Sequence, residues 1–320
     1  MSLGQVLGTN VTTESTKYEN VRSMSRVHLS LLFAVILWGW SFVATKVLLQ
    51  YLSPVEVMGA RLLLGVPPMI LALLVKRIFP RLPRRDWALM GACSLVLISH
   101  FLVQITGMQY TSATNTAWII AVTPLTIVLL AVPFLGEKLR RPQVIGIFAA
   151  TFGVLILVSR GNPADLGGLT NVGDWMVLAS AFTWAAYTVL TRHIADGRQP
   201  LFVTTMVLAM AAIAALSYML AFTNWVVFVE MPWEGWVATV FLGLFCISLT
   251  LWIWNEGVAR IGASRAGFFL YLEPLFATSV AVPLLGDHFG WSTAVGGAFI
   301  ISGVMLAERR VVSLPKLRRS

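Results

Sequence analysis

Charge is scarce in this chain: only 12% of its 320 residues are Asp, Glu, Lys or Arg, while 58% are hydrophobic. A soluble domain carries about 25% charged residues, so a fold bathed in water on all sides is excluded. Cysteine is scarce too. Cys93 and Cys246 both fall in apolar runs, where they act as small hydrophobes and build no disulfide framework. The four histidines, His28, His100, His193 and His288, lie in four different segments, so no metal-ligating pair is expected. No glycine-rich phosphate loop of the Walker type occurs, which argues against ATP hydrolysis, and no cofactor is expected. The first 26 residues lack the basic start and apolar core of a cleavable signal and read as a flexible cytoplasmic tail.

Long apolar runs are what the chain has in abundance. A bilayer core is crossed by about 20 apolar residues in a helix, and ten such stretches are expected: 27–49, 55–75, 87–108, 113–135, 144–158, 173–191, 202–221, 236–255, 267–285 and 291–307. The runs are unbroken, without the alternation of a barrel strand, so they are helices. The net charge of +9 is resolved by position, because 20 of the 23 basic residues fall on one side of the membrane when loops are counted alternately. Lys76, Arg77, Arg81, Arg84 and Arg85 form the largest internal group; Arg160 alone lies in an odd loop, and Lys46 and Arg61 lie inside spans. Both termini are therefore expected in the cytoplasm, and basic charge reads as topology and lipid contact rather than nucleic-acid binding.

The chain also repeats itself. A constant shift of 150 residues overlays 107–155 on 257–305 and pairs Gly107 with Gly257, Pro124 with Pro274, Pro133 with Pro283, Gly136 with Gly286, Gly146 with Gly296 and Gly153 with Gly303. Upstream, Trp40 pairs with Trp184 at a shift of 144. The expected organisation is a tail (1–26), a first five-helix repeat (27–160), a second (173–307) and a basic cytoplasmic tail (308–320). Five passes is an odd number, so the second copy enters the membrane from the opposite side. The fold class is thus an all-α membrane protein of ten transmembrane helices in two inverted repeats, a plan that places a substrate site between the halves near the midplane. Duplication retained only for packing is the alternative.

The residues in order carry a family resemblance. The first half reads Trp38-Gly39-Trp40-Ser41-Phe42-Val43-Ala44-Thr45-Lys46, Ser53-Pro54, Arg61, Gly107 to Ala113, Thr123-Pro124 and Leu135-Gly136-Glu137. The second reads Gly262-Ala263-Ser264-Arg265-Ala266, Tyr271-Leu272-Glu273-Pro274, Leu285-Gly286-Asp287 and a glycine-rich final helix. Over residues 29–307 the chain resembles the drug/metabolite transporter superfamily, specifically the EamA-type transporters; Asp287 stands where glutamate is common. The resemblance implies a ten-helix bundle that exports or exchanges small metabolites, often amino acids, in the bacterial cytoplasmic (inner) membrane.

Candidate site residues follow from what is out of place in lipid. Pro124 and Pro274 each leave a carbonyl one turn earlier without its donor, so both helices are weakened at matching depth; this points to a binding site or to a packing kink. Glu273 sits mid-span, where an acidic group costs on the order of 2.5 to 3.5 kcal/mol. It binds a cationic substrate group, carries a proton, or is bonded to a neighbouring helix in its neutral form. His100, at mid-depth in span 3, is a proton carrier or an interhelical hydrogen-bond partner. Trp38, Trp40 and Trp184 lie away from the headgroup zone and, with Ser41, Thr45, Thr183 and Tyr187, line a pocket or pack the core.

Asn115 and Trp118 are expected at the outer mouth, or Trp118 in an aromatic belt; Tyr271 is a midplane donor. Lys46 and Arg61 are expected near the outer ends of spans 1 and 2, snorkelling to water, and the resemblance gives them a gating or substrate-carboxylate role. Gly146 and Gly153, like Gly296, Gly297 and Gly303, mark close helix approach within a monomer or across a homodimer contact. The expected function is alternating-access export or exchange of a small metabolite, an amino acid or related compound by preference, driven by a substrate gradient or by exchange with protons as the coupling ion. An intramembrane enzyme would need a nucleophile and base that nothing nominates; a structural membrane protein is the third class.

Overall fold

A computed structural model describes residues 3–159, 172–285 and 291–308, and among these every regular element is helical. The helices are α1 (Leu3–Leu48), α2 (Pro54–Lys76), α3 (Arg84–Tyr110), α4 (Ala113–Ile120), α5 (Thr123–Leu135), α6 (Arg141–Val158), α7 (Val172–Ile194), α8 (Pro200–Phe222), α9 (Val226–Glu230), α10 (Trp233–Val240), α11 (Thr250–Ile261), α12 (Ala263–Phe269), α13 (Glu273–Leu285) and α14 (Trp291–Glu308). A π-helix (Phe241–Leu249) joins α10 to α11, and a 3₁₀ turn (Leu270–Leu272) joins α12 to α13. Arg160, Gly286, Asp287, His288 and the basic tail after Glu308 lie outside the described residues.

Among the described residues, seven stretches are long and apolar enough to cross a membrane: Ser25–Leu48, Pro54–Lys76, Arg84–Tyr110, Ala113–Leu135, Pro200–Phe222, Trp233–Ile261 and Ala263–Leu284. The three other long helices are α6, α7 and α14. Helix α7 is less apolar because it carries Ser180, Tyr187, Thr188 and Thr191, all turned into the protein and away from its surroundings. The expected flexible tail is instead helical from Leu3, since no proline precedes Pro54 to stop α1.

Helices pair across the two halves of the chain, and the pairs obey an exchange rule. Helix α3 packs on α7, and the equivalent contact with halves exchanged, α1 on α11 and the π-helix, is also made. Helix α1 packs on α13, and its exchanged counterpart, α7 on α4 and α5, is present. Two contacts map onto themselves, α2 with α8 and α6 with α14. Glycines bring the last pair together: a Cβ on Gly146 would lie 2.5 Å from the Gly303 carbonyl oxygen, and one on Gly153 2.5 Å from that of Gly296. Shifting each residue by 150 turns the first contact into the second. These glycines therefore serve packing inside one chain.

Both proline-marked spans are broken. Helix α4 ends at Ile120 and α5 restarts at Thr123, with Pro124 in the first turn where a missing N–H leaves no bond unmade. In the second half α12 ends at Phe269, the 3₁₀ turn intervenes, and α13 restarts at Glu273 with Pro274 next to it. The two breaks fall at matching positions of the repeat.

Candidate functional site

Between the halves lies a cavity lined from α1, α2, α3, α7, the π-helix and both helix breaks. Its walls are set by close backbone approaches. A Cβ on Gly39 would meet the Glu273 carbonyl oxygen at 2.9 Å and the Ala277 nitrogen at 2.9 Å, so α1 lies directly against the first turn of α13. This brings Trp38 and Ser41 to the same space as Glu273. On the opposite wall Gly65 faces the Gly243 carbonyl oxygen, 2.6 Å from where its Cβ would be, which seats α2 in the π-helix and aims Arg61 inward.

Arg61 is 5% exposed, with its guanidinium 4.7 Å from the centre of the Phe101 ring. That stacking suits a planar cation. Its Nε is buried without a partner, and the group makes no hydrogen bond or ion pair among the described residues. Glu273 is 7% exposed, lines the same cavity, and its carboxyl group likewise has no hydrogen bond or ion pair there. Two buried groups of opposite formal charge thus face one space without pairing with each other.

His100 is tied to α7. Its Nδ1 lies 3.0 Å from the Ser180 carbonyl oxygen and 3.3 Å from Thr183 Oγ1. A carbonyl only accepts, so Nδ1 carries the proton and Nε2 is left for other partners. Gln104, one turn along, donates to Ser180 Oγ at 3.4 Å. Trp38 Nε1 donates to the Cys246 carbonyl at 3.2 Å, anchoring its ring to the π-helix. Trp184 meets Trp38 edge-on at 5.3 Å and His100 at 5.0 Å. Trp254, fully buried, lies behind both tryptophans, 5.5 Å from Trp38 and 5.9 Å from Trp184.

Of the sequence candidates, Trp38, Ser41, Arg61, His100, Trp184 and Glu273 line this cavity. The others are elsewhere. Trp40 is 40% exposed and points outward, the opposite of its sequence partner Trp184, because successive helical positions two apart face away from each other. Lys46 donates to the carbonyls of Met108 at 2.7 Å and Thr111 at 3.0 Å, closing the end of α3. Asn115 bonds Asp174 Oδ1 at 2.7 Å and Thr111 Oγ1 at 2.8 Å, joining α4 to α7. Trp118 is buried with Ile147, Ala150 and Tyr271.

Tyr187 is fully buried and accepts from Asn255 Nδ2 at 2.8 Å; Tyr271 shares a hydrogen bond of 3.1 Å with Thr151. Arg61, expected to reach water along its stem, is buried against Phe101 at the cavity wall. Phe101, Gln104, Thr123, Ser180 and Cys246 were not among the candidates but line the cavity. Helical spacing from His100 to Gln104 and from Ser180 to Trp184 carries the signal for two of them; nothing in the sequence marks the π-helix that presents Cys246.

Many membrane-crossing helices, duplicated halves and a central cavity with broken helices at its edge describe a multi-pass membrane transporter. The EamA-like transporter family matches the chain twice, over residues 25–159 and 171–308, and the chain belongs to that family. It is 27% identical over 295 residues to the uncharacterized transporter YyaM of Bacillus subtilis (strain 168), covering 91% of this chain and 95% of that one. It is 28% identical over 291 residues to a probable terminal-alkyne amino-acid exporter of Streptantibioticus cattleyicolor, covering 90% and 95%. One crystal structure of a protein 21% identical shares the fold, with a TM-score of 0.70 over 88% of this chain and 98% of that chain. Family and relatives are transporters, not enzymes, so a small solute and the lipid bilayer are this chain's partners.

Proposed function

We propose that this transporter exports or exchanges a small metabolite, an amino acid or related compound, by alternating access. The observation that carries the reading is the cavity lined by both halves and flanked by the matched breaks at 121–122 and 270–272. Broken helices are tolerated at membrane depth only where they line a cavity or are covered by protein. Inverted repeats with exchangeable packing let such a cavity open to one side and then the other.

In this reading the spans number ten, with α6, α7 and α14 completing the seven most apolar. The exchange-symmetric contacts of α6 with α14 support an axis in the membrane plane, and the basic loops put both termini in the cytoplasm. A substrate gradient or proton exchange drives the cycle. The amino-acid assignment draws on the named activity of the Streptantibioticus relative and on the charged, aromatic walls of the cavity. Proteoliposomes loaded with labelled amino acids should release them in a saturable, protein-dependent way. If no member of a broad metabolite panel crosses faster than through empty vesicles, the reading is wrong.

A further inference from the structure

The turn from α2 to α3 carries five exposed basic side chains, Lys76, Arg77, Arg81, Arg84 and Arg85. None makes an ion pair or a side-chain hydrogen bond among the described residues; Lys76 has only a ring contact, its ammonium 4.7 Å from the centre of the Trp252 ring. Acids at the same end of the bundle are already engaged. Asp86 is bound to Arg198, Glu137 accepts from the backbone of α12, and Asp196 and Glu256 pair with Arg192 and Arg260. These four acids therefore leave the positive charge of the turn uncompensated.

Local structure disfavours three of these cations. Arg77, the one non-glycine with a positive φ among the described residues, holds φ +53° at the left-handed position that closes α2, where glycine fits best. Arg84 and Arg85 open the first turn of α3, the positive end of its dipole, where acidic side chains stabilise and basic ones do not. What retains them therefore lies outside the chain.

The neighbouring side chains identify the partner. Val75 is 74% exposed and Phe79 61%, and Leu71 and Leu74 continue the exposed apolar surface along α2. Cations alone would suit a soluble phosphate or an acidic peptide. Cations at the edge of an apolar, membrane-crossing surface suit a molecule with phosphate at one end and acyl chains at the other. We propose that the α2–α3 turn binds anionic phospholipid, the basic side chains taking the headgroup phosphate and Leu71, Leu74, Val75 and Phe79 lying against the acyl chains.

The test uses the full-length protein in detergent, titrated with dioleoyl phosphatidylglycerol or dioleoyl phosphatidylcholine in matched micelles. Affinities come from thermal shifts, since a ligand of the native state raises apparent stability. Phosphatidylglycerol should act at lower concentration than phosphatidylcholine, and the preference should shrink in about 1 M salt, where the Debye length falls to about 3 Å. Arg77→Gly should weaken phosphatidylglycerol about fivefold, the factor expected of one basic side chain at an anionic surface. The same variant should unfold at an equal or higher temperature without lipid, which separates a lipid contact from a structural role. Arg192→Gln removes the same unit of charge at a residue paired with Asp196 and should leave the affinity unchanged.

Equal stabilisation by the two lipids overturns the proposal, and the basic turn then serves membrane topology alone. Equal losses in Arg77→Gly and Arg192→Gln also overturn it, because net charge and not this surface would be responsible. Inorganic phosphate at the same concentration should give no shift; a shift as large as that of the lipid would make the ligand a soluble anion and overturn the lipid assignment. The comparison of the two lipids on the parent protein needs no variant, so it stands even if a substitution impairs folding.

Discussion

The carboxylate of Glu137 accepts from the backbone N–H of Ala263 at 2.7 Å, so a residue of the first half caps the start of a helix of the second. Its other oxygen accepts from Ser264 N–H at 2.9 Å, and Gly262, at φ +91°, turns the chain so that both amides point at the acid. Two donors left over at a helix start and a carboxylate at its positive end form a charge-assisted cap. Glu137→Ala should lower stability by about 1 to 2 kcal/mol, read as a reduced unfolding temperature of purified protein. Glu137→Gln should recover part of the loss through its remaining acceptor oxygen. An unchanged unfolding temperature in the alanine variant would mean that the cap contributes nothing.

The glycine contacts of α6 with α14 give a sharper contrast. Gly146→Val drives a branched side chain into the Gly303 carbonyl and Ala307, with helix backbone on the receiving side. Overpacking of this kind costs about 1 to 3 kcal/mol. Gly91, within α3, has nothing within 4 Å of an added Cβ, so Gly91→Ala should be neutral or stabilising by up to about 1 kcal/mol through helix propensity. Thermal unfolding of the two variants side by side tests the packing account, which fails if Gly146→Val is the better tolerated.

The proline breaks and the central cavity were legible because lipid punishes the features that mark them. Pro124, Pro274, Glu273 and His100 are conspicuous in an apolar run, and a shift of 150 residues aligns the two prolines. Facing was not legible to the same degree. Trp38 and Trp40 are both mid-span, but one donates to Cys246 and the other points outward, and composition does not distinguish them. The π-helix was invisible, since Phe241–Leu249 reads as an ordinary apolar helix. Its extra width follows from tertiary packing, with α2 pressed against Gly243.

The breaks themselves should matter to movement more than to stability. Pro124→Ala and Pro274→Ala restore an amide donor at positions where α5 and α13 begin, which favours a continuous helix through each break. Unfolding temperatures should stay within about 2 °C of the parent, equivalent to roughly 1 kcal/mol in a protein of this size. Efflux from proteoliposomes should fall severalfold, with ligand affinity preserved, because hinges at such positions absorb the change of backbone angles. Parental efflux in the double variant would remove the breaks from the transport cycle.

Lys46 and Arg61, similar in sequence setting, are separated by what they touch. Lys46 is spent on the Met108 and Thr111 carbonyls at the end of α3, a cationic cap on a negative helix terminus, whereas Arg61 faces the cavity with its Nε unpartnered among the described residues. Lys46→Met retains the apolar stem and removes the donor, so it should cost about 1.5 to 3 kcal/mol, the range for hydrogen bonds to a charged group. Because Lys46 lies away from the cavity wall, the affinity of any transported ligand should remain within about twofold of the parent, a difference of roughly 0.4 kcal/mol. Thermal unfolding and ligand binding measured on the same preparation distinguish the alternatives. A variant of normal stability that has lost ligand affinity would make Lys46 a substrate contact and contradict the capping role.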